Sequence, residues 1–85
     1  MSDQPTPIAP ERVAEELQRI SAMKRNGELD ADEYEHRFAR MVSELRDRRI
    51  SGGRKEIVAA IAPHMKDGTI EQAAVERLLK QLGIV

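Results

Sequence analysis

Glu33 and His36 stand three residues apart, the spacing with which carboxylate-bridged di-iron bundles set two ligands on one helix face. That chemistry needs a second such pair and two further inward glutamates, and the positions 41 residues on, 74 less 33, are Ala74 and Arg77. His36 is flanked by Glu35 and Arg37, which suits a solvated histidine rather than a ligand. The stretch NGELDADE (26–33) resembles the back half of a calcium-binding loop. With Gly27 at its sixth position, however, the first and third positions fall on Ala22 and Lys24, which bring no carboxylate. His64 beside Pro63 reads as a histidine near a helix end, where a cation or hydrogen-bond donor is well placed. There is no cysteine, and Ser21, Ser43 and Ser51 have no histidine or lysine nearby in a pattern that would activate a hydroxyl. The expectation is a chain that is not an enzyme and holds no metal or cofactor.

One charged run has chemistry that capping does not absorb. Residues 46–55 (RDRRISGGRK) carry five basic side chains against one acidic, whereas residues 1–45 carry six against ten and residues 56–85 three against four. Arg46, Arg48 and Arg49 fall at the end of a helix, where they complement its negative pole. Arg54 and Lys55 fall in the first turn of the next helix, beside Gly52 and Gly53, whose amides would be open to an anion. The run is therefore a candidate for binding a partner or an anion. Ile50, Met65, Ile84 and Val85, together with Ile8, are apolar residues left over after each helix has its stripe, and they are candidates for contact with a partner.

The elements that must position these residues are helices. Residues 1–9 are polar and interrupted by proline, which predicts a flexible tail. Val13, Leu17, Ile20 and Met23 recur at helical spacing up to Asn26-Gly27, predicting a first helix over about 11–26. Asp30, with Glu33 three residues on, has capping-box spacing, and Tyr34, Phe38, Met41 and Leu45 make the stripe of a second helix over about 31–49. Ile57, Val58, Ile61 and Met65 mark a third over about 54–66, which Pro63 should kink or cut short near Ala62. Thr69 with Gln72 predicts the cap of a fourth over about 70–82, with Ile70, Val75, Leu78, Leu79 and Leu82 as its stripe. No stretch alternates polar and apolar residues for long enough to make a strand.

Superimposing Gly27 on Gly68 also aligns Ile20 with Ile61, Leu29 with Ile70, Tyr34 with Val75, Phe38 with Leu79 and Met41 with Leu82. The pattern helix, glycine turn, helix thus occurs twice, over 10–49 and 53–85. An αα-hairpin cannot bury its own apolar stripe, but two can cover each other. The fold expected is all-α, a single domain over 10–85 in which two hairpins form a small four-helix bundle. With one Tyr, one Phe and no Trp, its core must be aliphatic and it lacks stacking platforms for bases.

Within the first copy, Leu17 to Leu45 resembles the SHOCT (short C-terminal domain) family: an apolar helix, a glycine, a hydrophobic residue, a capping acid or Thr, then Glu-Tyr/Phe-Glu and a second apolar helix. Gly27, Leu29, Asp30, Glu33, Tyr34 and Glu35 fill those positions. The second copy keeps the outline in Gly68, Thr69 and Ile70 without the Glu-Tyr-Glu. The resemblance implies a helical hairpin serving oligomerisation or interaction.

These observations point to a small non-catalytic adaptor or oligomerisation module whose partner is another protein or a second copy of itself. The alternative is a small regulator that sets residues 46–55 against nucleic-acid phosphates. No apolar run reaches the roughly 18 residues of a membrane span, and the absence of cysteine suits a cytoplasmic setting.

Overall fold

The computed structural model describes residues 7–84, so Val85 and most of the expected tail lie outside the described residues. Four helices follow one another: α1 (Pro10–Arg25), α2 (Ala31–Arg48), α3 (Arg54–Lys66) and α4 (Gln72–Leu82). There is no strand among the described residues, only an isolated parallel bridge between Ile8 and Ile50.

The two glycine turns are built alike. Gly27 and Gly68 adopt φ of 81° and 83°, the left-handed region that a side chain resists. In each turn one carbonyl accepts from two successive amides: Met23 from Glu28 and Leu29, and His64 from Thr69 and Ile70. Leu29 and Ile70 are consequently pulled inward and buried.

Helix starts differ more. Asp30 caps α2 with a reciprocal box, its carboxylate accepting from the Glu33 amide at 2.8 Å while Glu33 accepts from the Asp30 amide at 3.0 Å. The corresponding start of α4 departs from expectation, because Thr69 does not cap it. The Thr69 amide and hydroxyl both donate to Asp67, which ties Thr69 into the preceding turn, and α4 begins at Gln72 rather than 70 with Glu71 as an N-cap that accepts no side-chain cap bond. Pro63 does not end α3 near Ala62. It lies in the last turn with its ring exposed, and the helix continues to Lys66.

α1 packs on α2 and α3, and α4 packs on α2 and α3, which closes a ring. The most extensive packing is α1 on α3, between the hairpins rather than within either. These two helices run parallel: Ile8 meets Ile50 ahead of their N-termini, and the Arg25 guanidinium donates to the carbonyls of Gly68 and Thr69 beyond their C-termini. Both glycine turns therefore lie at one end of the bundle and the α2–α3 linker at the other. Val13 and Leu17 of α1, Phe38 of α2, Ile57 and Ile61 of α3 and Leu78 of α4 are wholly buried in one shared core.

Ile8, which falls in the stretch 1–9 expected to be a flexible tail, is docked on the bundle. Ile8 is 6 % exposed, its amide donates to the Arg49 carbonyl and its carbonyl accepts from the Ser51 amide, both at 2.9 Å. Burial of one isoleucine side chain favours this docking by roughly 1.5–3 kcal/mol.

Candidate functional site

At the linker end, α2 stops at Arg48 and the chain must turn at once to start α3 at Arg54. Arg49 makes that turn with φ 67° and ψ 159°, a region essentially reserved for glycine. Two bonds hold it there. Its amide still donates to the Leu45 carbonyl as if the helix continued, and its carbonyl accepts from Ile8. Gly52 then passes so close to neighbouring groups that a Cβ would stand 3.0 Å from Glu56 Cβ and 3.2 Å from Pro10 Cγ.

Beneath this linker opens a slot of about 320 Å³ walled by Leu45, Ile50, Ile57, Leu82 and Ile84, with Arg46, Arg49 and Gly52 at its edge. The bundle end thus brings together Arg46, Arg49, Gly52, Ile50 and Ile84 from among the residues expected to bind. It separates the rest. Arg48 lies on the far side of α2, in a groove with Ile8, Arg12 and Glu16, where it pairs with Glu44 at 3.5 Å. Arg54 faces a hollow between α3 and α4 with Gln72, Glu76 and Lys80. Lys55 is exposed on α3, and Met65 packs on the core in the last turn of α3, toward the opposite end of the helix.

The open pair of glycine amides expected beside Arg54 is not there. The Gly53 amide donates to the Glu56 carboxylate at 2.7 Å, so this chain's own side chain sits where an anion would bind. The open cationic groups at this end are guanidinium groups instead. Arg46 and Arg49 are exposed, and among the described residues no carboxylate pairs with either. The periodicity of Leu45, Ile57 and Leu82 marks them as core, and nothing local marks them as slot walls.

The glycine-turn end carries a second hollow, about 240 Å³, lined by Ser21, Lys24, Arg25, Tyr34, Thr69, Glu71 and Ala74. Sequence reading missed it, since its lining comes from both hairpins. Its cations are already occupied: Lys24 Nζ lies 4.6 Å from the Tyr34 ring centre, and Arg25 is bonded to the Gly68 and Thr69 carbonyls. Burial pushes the Tyr34 phenol up from its ordinary value, against the lowering influence of Ser21 and Arg77, so it stays neutral. On the outer face, Arg77 of α4 lies over the Phe38 ring at 4.3 Å and grips both oxygens of Glu35 on α2. Among the described residues, no three His, Cys, Asp or Glu side chains cluster so as to hold a metal ion, and no helix is long and apolar enough to cross a membrane.

The two ends therefore differ in kind. One has an apolar hollow beside unpaired guanidinium groups, and the other a polar hollow whose two cations are engaged internally. Comparisons of the chain with protein-family models, curated proteins and solved structures found no match.

Proposed function

We propose that this chain is a non-catalytic interaction module that docks a short aliphatic and acidic segment of another protein at the linker end of its bundle. The observation that carries the reading is the slot of Leu45, Ile50, Ile57, Leu82 and Ile84 opening beside the unpaired guanidinium groups of Arg46 and Arg49. An aliphatic side chain entering it removes apolar surface from water on both partners, and a carboxylate one turn away meets a planar, bidentate donor. Charge complementarity selects the occupant: a basic segment would set like charge against Arg46 and Arg49, which disfavours it.

Panning a library of short random peptides on the immobilised protein tests this. Enriched sequences are expected to join Leu, Ile or Phe to Asp or Glu within a few residues, and Ile84→Asp or Arg46→Glu to cut their binding at least about tenfold. A failure to enrich any peptide, or binding that ignores both substitutions, would remove the reading. A DNA or RNA oligonucleotide whose binding to the same end falls steeply with added salt would transfer Arg46 and Arg49 to phosphate contacts instead.

A further inference from the structure

We propose that the two hairpins exchange between copies of this chain, so that α1–α2 of one molecule packs on α3–α4 of a second and the reverse, forming a closed two-fold dimer. The proposal is independent of peptide docking and rests on how the hairpins are joined. The most extensive helix packing in the molecule, α1 on α3, lies between hairpins, and so does the tie from Glu35 on α2 to Arg77 on α4. Neither depends on which chain supplies each hairpin. The only covalent link between α2 and α3 is residues 49–53.

That link is taut when closed. Arg49 is held in a conformation essentially reserved for glycine, and Gly52 passes so near Glu56 and Pro10 that even a methyl group would press on them. An opened linker frees Arg49 to adopt ordinary backbone angles, and exchange then rebuilds every helix contact across the two-fold axis. A short, strained hinge between two units that complete each other is the arrangement that favours swapping. The closed chain has the opposing advantage that its own second hairpin is present at an effective concentration on the order of millimolar. Exchange therefore depends on protein concentration, and on the strain relieved at two Arg49 residues per dimer.

The test refolds the full chain from denaturant over a range of concentrations, up to those of a concentrated stock, and reads mass by light scattering and native mass spectrometry. A dimer fraction rising with concentration is expected. Arg49→Gly, which makes the closed turn comfortable, is expected to lower the association constant at least about tenfold. Glu35→Arg and Arg77→Glu chains, each with like charges facing across its own seam, are then refolded separately and together. In the mixture, each exchanged seam sets opposite charges face to face, so heterodimers should exceed the statistical proportion.

A monomer at every concentration would overturn the proposal. So would a dimer fraction unchanged by Arg49→Gly, or mixed dimers in merely statistical proportion, since the contact would then lie outside the seam. Circular dichroism of both charge-reversal chains verifies that they fold, which the exposure of Glu35 allows.

Discussion

Arg49 is subject to two opposed demands. Its φ of 67° with ψ of 159° disfavours the closed fold by about 1–3 kcal/mol relative to a residue in an ordinary conformation. The bonds to Leu45 and from Ile8 over-determine the position, which is why the strain persists. Glycine adopts this conformation without a Cβ penalty but loses about 0.5–1 kcal/mol of unfolded-state freedom. Arg49→Gly should therefore stabilise the monomer by about 1 kcal/mol, a rise in melting temperature of about 4–8 °C for a chain of this size. Arg49→Ala keeps the strain and should give no such rise. Equal melting temperatures for the two variants would show that the backbone is unstrained. The residue-level signal in the sequence was misleading at this point: Gly52-Gly53 advertises flexibility, while the strained position is Arg49. What forces Arg49 is a tertiary bond from Ile8, 41 residues away, and no local pattern encodes it.

Helices and turns were largely legible, and the particular successes and failures have different physical origins. Apolar spacing placed all four helices, since burying a stripe dominates helix position. The alignment of Gly27 with Gly68 anticipated two glycine turns, and the structure adds that they share one geometry, with paired amides on Met23 and His64. The start of α4 was misread because Thr69-x-x-Gln72 has the spacing of a cap, yet the Asp67 carboxylate competes for Thr69 and wins from two residues away. Aligned by repeat rather than by residue type, Asp30 pairs with Glu71, the true N-cap of α4. The caps should differ in energy accordingly. Asp30→Ala removes the carboxylate that accepts from the Glu33 amide and leaves only the backbone half of the box, and should cost about 0.5–2 kcal/mol in urea unfolding. Glu71→Ala removes no cap bond and should stay within about 0.5 kcal/mol of the parent. Similar losses from both would mean that the box at α2 contributes little. The candidate slot was half legible: charge and leftover apolar residues flagged Arg46, Arg49, Ile50 and Ile84, but only the fold shows that Arg54, Lys55 and Met65 point elsewhere.

At the scale of the whole molecule, two hairpins share one core, and a few polar ties fix how they sit. Arg25 reaches from the first to the carbonyls of the second turn, and Arg77 reaches back from α4 to Glu35. The hydrogen bond from Arg77 holds the Glu35 carboxyl below its usual 4.5, more than slight desolvation raises it. A carboxyl whose folded value is depressed contributes stability that is present above the unfolded value and disappears as pH falls through the folded one. The inter-hairpin tie is therefore intact near neutrality, and its contribution is lost as the pH falls below the ordinary value and through the lowered folded one. Asp67 is lowered too, through its bonds from Thr69, but that interaction lies within one turn and leaves the hairpin seam alone. Melting temperature measured from pH 7 down to strongly acid conditions separates them. Glu35→Gln should lower stability only slightly at pH 7, because the pair is solvent-exposed, and should make the acid decline shallower without abolishing it. Adding Asp67→Asn should flatten the curve further. Parallel curves for the parent and Glu35→Gln would exclude this tie as a source of acid sensitivity and leave the alignment of the hairpins to their aliphatic seam.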